Sequence, residues 1–295
     1  MLVSLNEMLG RAKAEGYGVP AISAANEVTL RACIEAAEKA NSPVIVLTGY
    51  YMTDALNYYG RMVEDFAVRA SVPVVAMWDH SGTFKESIRG IRAGFPSIMV
   101  DRSSLTYEEN LAQTKELVRI AHCVDIAVEA ELGHVGKGFN YDVDGVSSLT
   151  VPDEAVAFVK ETGCDCLAVA IGTAHGVYKG VPKLHFDLLK ELAEKVPVPL
   201  ALHGGSGTGD ENISKACRMG ISKVNVANEL MRACYDALET EGMEGNNIYK
   251  FWPVLEKGYK AKCAHLFEVC GCAGKAWPAH QCLTAKVQAG FKTEA

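Results

Sequence analysis

PLALHGGSGTGDENISKACRMG, residues 199–220, runs from an apolar stretch through a glycine-rich hinge into a helical pattern. The apolar part is continuous instead of alternating, as a parallel strand buried on both faces requires. Strand, loop and helix in that order recur along the chain. Strand candidates are YGVPAIS (17–23), PVIVLTG (43–49), PVVAMWD (73–79), SIMVDRS (97–103), VDIAVEAEL (124–132), CLAVAIG (166–172), PLALHGG (199–205) and KVNVAN (223–228). Helical patterns lie between them, such as EVTLRACIEAAEKAN (27–41), FKESIRGIRAGF (84–95), EENLAQTKELVRIAH (108–122), PDEAVAFVKETG (152–163) and FDLLKELAEKV (186–196). Eight such units predict an α/β fold of the (β/α)8 TIM-barrel type. The competing architecture, an open doubly wound sheet, would carry a GxGxxG turn after its first strand, and here that strand runs into SAAN. Ser4 and Glu7 have capping-box spacing, so an extra helix opens the chain. The stretch beyond residue 240 is helical and aromatic and closes the outside of the barrel. No Pro/Gly/Ser-rich linker divides the chain, which makes residues 1–295 one barrel domain.

Composition narrows the function classes. The chain has 295 residues, 49% of them hydrophobic, enough for a large core. A net charge of −7 argues against nucleic acid, which needs a basic face. A small anionic substrate stays open, because a few local donors override a diffuse negative field. No apolar run is long enough to span a bilayer, and MLVSLNEMLG lacks the basic flank and apolar core of a signal peptide. A cytoplasmic location is expected. The ten cysteines are scattered and include no pair of CxxC motifs, so they read as reduced thiols packed as small apolar residues.

In a barrel the chemistry gathers where strands end. Trp78-Asp79-His80 ends the third strand, Asp101-Arg102-Ser103 the fourth, and Glu129 and Glu131 lie on the fifth. Gly172-Thr173-Ala174-His175-Gly176 follows the sixth, His203-Gly204-Gly205-Ser206-Gly207 the seventh, and Asn225-Val226-Ala227-Asn228 ends the eighth. A closed barrel brings His80, His175 and His203 to one rim, a set that suits zinc with an open fourth position. His134, directly after the fifth strand, is a further histidine near that rim. Gly204-Gly205-Ser206-Gly207 before a helix reads as an anion cradle, because glycines admit a phosphate to backbone N–H groups and the helix end adds positive potential. Lys179 would add a formal charge.

Taken together, WDH (78–80), VEAELG (128–133), LAVAIGTAHGVYKG (167–180), LHGGSG (202–207) and KVNVANEL (223–230) resemble the class II, zinc-dependent fructose-bisphosphate and tagatose-bisphosphate aldolase family. The resemblance runs from about Leu5 to Ala276. It implies that His80, His175 and His203 bind the catalytic Zn2+, and that Asp101 and Glu131 hold an alternate or second cation position. It implies Asp79 as the proton donor and acceptor at the C4 oxygen of a phosphorylated ketose. Gly176, Lys179, Gly204, Gly205, Ser206, Asn225, Val226, Ala227 and Asn228 would hold a dihydroxyacetone phosphate moiety, and a homodimer or homotetramer is expected.

Two departures stand out. The family reads Asp-Gly-Ser after the fourth strand, where this chain has Arg102. An arginine there either points inward to an acidic group on the substrate or outward to a surface carboxylate. The family also carries adjacent acids on the loop after the fifth strand, where this chain reads GHVGKGFNYDVDGVSS (133–148), with only Asp142 and Asp144. Either aspartate would be the second acid/base, brought inward by loop closure. A noncatalytic sugar-phosphate-binding homologue or accessory subunit is the alternative the altered loop suggests. A metal hydrolase would want a His-x-His pair on the first strand, and no histidine precedes His80. A Schiff-base aldolase would need a lysine inside the barrel, whereas Lys179 and Lys223 read as loop and strand-edge residues.

Overall fold

The computed structural model describes residues 1–49, 52–136, 149–176, 178 and 180–278. Eight parallel strands close into a barrel, each hydrogen-bonded to the next and the last to the first. They are β1 (Val19–Ser23), β2 (Val44–Gly49), β3 (Val74–Ser81), β4 (Ser97–Val100), β5 (Ala127–Leu132), β6 (Cys166–Val169), β7 (Leu200–Leu202) and β8 (Ile221–Val226). Every strand residue except His80 is buried. That explains the continuous apolar runs: one face packs inside the barrel and the other under helices.

The helices that follow the strands in turn are α2 (Glu27–Ala40), α3 (Leu56–Arg69), α4 (Phe84–Arg92), α5 (Tyr107–His122), α6 (Pro152–Thr162), α7 (Phe186–Lys195), α8 (Asp210–Arg218) and α9 (Asn228–Glu241). This is the expected (β/α)8 TIM barrel. Three of the helices start on reciprocal capping boxes, Asn26/Thr29, Thr83/Glu86 and Thr106/Glu109, which satisfy amides that the first turn leaves free. Helix α3 has no capping side chain and an aromatic-rich first half, and its pattern was not among those that stand out in the sequence. Strand β8 begins at Ile221, so Lys223 lies within it and not at its edge, and Asn228 already belongs to α9. Strand β6 stops at Val169, leaving His175 on a loop.

Both extra helices close openings that eight units leave. The opening helix α1 (Leu5–Glu15) starts on Ser4, whose hydroxyl accepts from Glu7 N, and buries Leu5, Met8, Leu9 and Ala12. It lies across the end of the barrel where strands begin. Leu2 bridges Val74 at the start of β3, Asn6 donates to Asp165 before β6, and Lys13 donates to the carbonyls of Val196, Pro197 and Val198 before β7. The closing helix α10 (Phe251–Cys270) packs on α9, α2, α8 and β1. Its Tyr259 hydroxyl donates to Ser23 O at the end of β1, 2.8 Å away. Helix α9 thus leans outward and α10 takes the place between α8 and α2. The nine cysteines among the described residues are free thiols, eight of them buried. No helix among the described residues is long and apolar enough to cross a membrane.

Helix α4 is seated by one close approach. A Cβ on Gly90 would stand 2.3 Å from the Trp78 ring, and Trp78 in turn donates its indole N–H to Glu86 O. Gly90→Ala is therefore expected to destabilise the fold by about 1–3 kcal/mol through overpacking. Urea unfolding of the variant checks this: an unchanged midpoint would show that α4 can shift without loss.

Candidate active site

Asp79 and His80 are consecutive on a strand, so regular pleating would send them to opposite faces. Trp78 points outward under α4, which turns Asp79 inward. Ser81 also faces out, its hydroxyl bonded to Ser87 of α4 and to Met99 O. Two inward residues between two outward ones require a bulge, and the β3–β4 register shifts between Trp78 and Ser81. His80 absorbs it with a left-handed φ of 51°. For a residue with a side chain that conformation costs about 1–3 kcal/mol and persists where the surroundings hold it.

The three histidines meet as expected. His80 ring centroids lie 4.8 Å from those of His175 and His203, and one nitrogen of each ring lies within 4.8 Å of the other two. Each ring is held by its other nitrogen. His80 Nδ1 donates to Asp101 Oδ2 at 3.0 Å, His175 Nδ1 donates to Val135 O at 3.0 Å, and His203 Nε2 donates to Glu129 Oε1 at 2.8 Å. What remains facing the centre is His80 Nε2, His175 Nε2 and His203 Nδ1. The last two are buried without any hydrogen-bond partner, and so is Glu131 Oε2, 3.6 Å from His203 Nδ1. Buried polar atoms are rarely left so. Convergent imidazole nitrogens, each oriented by a hydrogen bond on its far side, fit a zinc-type cation. His80, Asp101 and Glu131 form a second overlapping group of donors.

The charges around this centre are unequal. Burial would lower the His80 imidazole, but the carboxylates of Asp79, Asp101 and Glu131 outweigh it and raise the pKa to about 9. Asp101 is held low despite burial, by His80 and by two hydrogen bonds from Ser103. His175 is driven down to about 3 by burial and by the other two histidines. Burial and the nearby Asp101 raise Glu131. Asp79 is buried, with both oxygens 3.4 Å from the Asn225 amide nitrogen and Oδ2 3.9 Å from His80 Nε2.

A cavity of about 770 Å³ opens over these groups. Asp79, His80, Asp101 and His175 line it, together with Gly176, Gly204, Ser206, Asn225, Val226, Ala227 and Asn228. Gly204 has φ 68°, and a Cβ there would stand 2.3 Å from Ala174 O, so only glycine lets the β7 loop reach the β6 loop. Tyr178 ties the same two loops, accepting from Ala174 N and donating to Gly204 O. Ser206 Oγ accepts from Ala227 N and Glu229 N, joining the β7 loop to the start of α9. Gly205 lies behind the wall, its N–H bonded to Asn225 O.

Several expected residues are placed otherwise. Arg102 is buried and takes neither expected direction. Its guanidinium donates to Gln113 Oε1, Ser81 O and Asp101 O, anchoring the β3 and β4 ends from beneath. Gln113 on α5 offers it a neutral acceptor 2.8 Å away. Lys179, Asp142 and Asp144 lie outside the described residues. His134 lines the cavity and bonds through Ser103 Oγ to Asp101. Tyr178 and Glu129 carry no expected role, and Lys223 lies inside the barrel and not at the expected strand edge; period-two spacing from Glu131 and Asn225 places Glu129 and Lys223 on the inner face.

A barrel with this rim is the architecture of an aldolase. The family model of fructose-bisphosphate aldolase class-II matches residues 3–275, and the chain belongs to that family: it is an aldolase, a carbon–carbon lyase. It is 37% identical over 282 residues to the D-tagatose-1,6-bisphosphate aldolase subunit GatY of Klebsiella oxytoca, covering 93% of this chain and 99% of that one. The crystal structure of the YdjI aldolase from Escherichia coli K12 superposes with a TM-score of 0.85 at 34% identity, covering 94% of this chain and all of that one. A putative fructose-1,6-bisphosphate aldolase from Coccidioides immitis gives a TM-score of 0.83 at 29% identity, over 92% and 97% of the two chains.

The raised His80 pKa has a measurable consequence. Below about pH 9 the metal-free ring is protonated, so a cation binding at Nε2 must displace that proton. His175 is already neutral and releases none. Divalent-metal affinity should rise about tenfold per pH unit up to about pH 9 and then level off. Calorimetry in buffers of different ionisation enthalpy should read close to one proton released per metal at pH 7, and less for Asp101→Asn. An affinity flat between pH 6 and 8 would exclude a protonated His80.

Proposed function

We propose that this aldolase is zinc-dependent and reversibly cleaves a ketose 1,6-bisphosphate-like substrate to dihydroxyacetone phosphate and an aldehyde. The observation that carries the reading is the convergence of three imidazole nitrogens and one buried carboxylate, Asp79, beneath a cavity whose rim is a glycine and helix-end cradle. His80, His175 and His203 would hold Zn2+, with Asp101 and Glu131 offering the second or alternate cation position. The bound metal supplies Lewis-acid stabilisation of the negative charge that develops on the three-carbon half.

The protein's own groups do the rest. Asp79 takes the C4 hydroxyl proton as the C3–C4 bond breaks, and returns it in condensation. Asn225, beside Asp79, keeps that carboxylate oriented. Gly176, Gly204, Ser206, Ala227 and Asn228 seat the phosphate, with Lys179 adding charge, so that binding energy far from the breaking bond fixes orientation. Gly205 supports this cradle from behind, and Val226 packs its floor. The three-carbon fragment needs a second proton transfer at carbon; Asp142 or Asp144 serves it, with His134 at the cavity wall as the other candidate. The rest of the wall, Ser23, Ala25, Leu47, Met52 and Met231, is uncharged. That favours an aldehyde half other than glyceraldehyde 3-phosphate. Exposed Met231, Tyr235, Ile248, Tyr249 and Trp252 support a homodimer or homotetramer, and we place the enzyme in the cytoplasm.

Cleavage of a panel of ketose phosphates by metal-loaded and chelated protein tests the reading. Activity should vanish with the metal and return with zinc; full activity after thorough chelation would refute it. Asp79→Ala should keep its metal and lose about 10²–10⁴-fold in turnover. Near-normal turnover would assign the C4 proton elsewhere.

The second proton is followed separately, by exchange of the dihydroxyacetone phosphate C3 hydrogen with deuterated solvent. Among Asp142→Ala, Asp144→Ala and His134→Gln, one variant should lose exchange while retaining metal. Undiminished exchange in all three would show that none of these groups handles it.

A further inference from the structure

Lys223 is the one lysine among the described residues whose side chain is wholly buried inside the barrel. It does not line the cavity, and its ammonium is already engaged, so it is not a Schiff-base nucleophile. A buried ammonium is expensive to desolvate, and an apolar side chain would fill the space without that cost. What the charge does is visible in its two partners. Nζ lies 2.9 Å from Glu129 Oε1 and 2.6 Å from Asn225 Oδ1.

Each contact removes an ambiguity. An ammonium can only donate, so the Asn225 amide must turn its oxygen toward Lys223. Its NH2 group is thereby aimed at Asp79, 3.4 Å from both carboxylate oxygens. On the other side, Glu129 Oε1 accepts from the same ammonium at 2.9 Å, which fixes that oxygen in place. The same Glu129 Oε1 receives His203 Nε2–H at 2.8 Å, which leaves the His203 Nδ1 lone pair facing the centre. The tautomer of one metal-site histidine and the direction of the amide beside the proton-transfer carboxylate follow from a single cation. Strand geometry makes this possible. Lys223 and Asn225 lie two residues apart on β8, so they share the inner face, and Glu129 reaches them across the barrel.

We propose that Lys223 is a positioning residue that sets both halves of the site at once: the metal-binding nitrogen of His203 through Glu129, and the orientation of Asp79 through Asn225. This rests on the aldolase reading of Asp79 and the three histidines.

The test compares Lys223→Met, Asn225→Ala and Glu129→Gln with the wild type. Three readouts are taken: zinc affinity by chelator competition, the visible spectrum of the cobalt-loaded protein, and turnover at saturating metal. Outer partners of metal-bound histidines typically contribute about 10–100-fold in affinity. Lys223→Met should lose that much affinity, alter the cobalt spectrum and lose at least about tenfold in turnover. Glu129→Gln should change affinity and spectrum, and Asn225→Ala turnover alone. A Lys223→Met protein with wild-type values, or with only one of the two defects, overturns the proposal. If Lys223→Met fails to fold, the double variant Lys223→Met/Glu129→Leu removes the unpaired buried charge. It should fold, verified by circular dichroism, and show both defects; wild-type affinity and turnover in it would also overturn the proposal. Wild-type protein that binds metal and cleaves a ketose phosphate keeps the aldolase reading intact in either case. Wild type that does neither fails that reading instead.

Discussion

A strand turns alternate residues to opposite faces, yet this rim presents two consecutive ones, Asp79 and His80, on the same side. The bulge in β3 is what reconciles the two, and much of the surrounding structure serves to hold it. Trp78 is locked outward by the glycine notch of α4, and Ser81 by Ser87 and Met99 O. Arg102 reaches up from β4 to the Ser81 carbonyl just past the bulge. Asp101 then receives the re-aimed imidazole. An arginine in that position has a structural task at the place where the strand is distorted, which accounts for its burial better than contact with a substrate would.

Electrostatics follows from the same packing. The inner wall of β5 and β8 carries Glu129, Glu131, Lys223 and Asn225 where a barrel interior is otherwise filled by branched apolar side chains. Charges so deep are tolerated only when paired or metal-bound. Glu129 and Lys223 pair with each other. Glu131 retains an oxygen with no protein partner, beside the lone pair of His203. The contrast between a satisfied carboxylate and an unsatisfied one, two residues apart on one strand, marks where internal pairing ends and the candidate cation position begins.

Loop closure at the rim depends on steric allowance more than on attraction. The β6 and β7 loops approach so closely at Ala174 and Gly204 that no side chain fits between them, and Tyr178 fastens them with two hydrogen bonds. His175 and His203 belong to these loops, so the spacing of two of the three histidines is set by a glycine and a tyrosine outside the histidine cluster.

Much of this was legible in the sequence. Continuous apolar runs separated by capped helical patterns determine a parallel barrel, because only strands covered on both faces read that way. Strand-end histidines, the aspartate beside one of them and the glycine-rich hinge after β7 follow from knowing that such barrels gather chemistry at that rim. The start of β8 was not legible: Ile221 and Ser222 carry no signal that separates strand from turn, so Lys223 read as an edge residue. Nor was the direction of Arg102, since a side chain that long reaches inward or outward equally well, and only the position of Gln113 on α5 decides between them. Which nitrogen of each histidine faces the centre was decided by tertiary structure alone. The partners that fix it, Asp101, Val135 O and Glu129, are 21, 40 and 74 residues away along the chain. A local pattern can locate a ring, but its tautomer depends on a hydrogen bond that exists only once the barrel has closed.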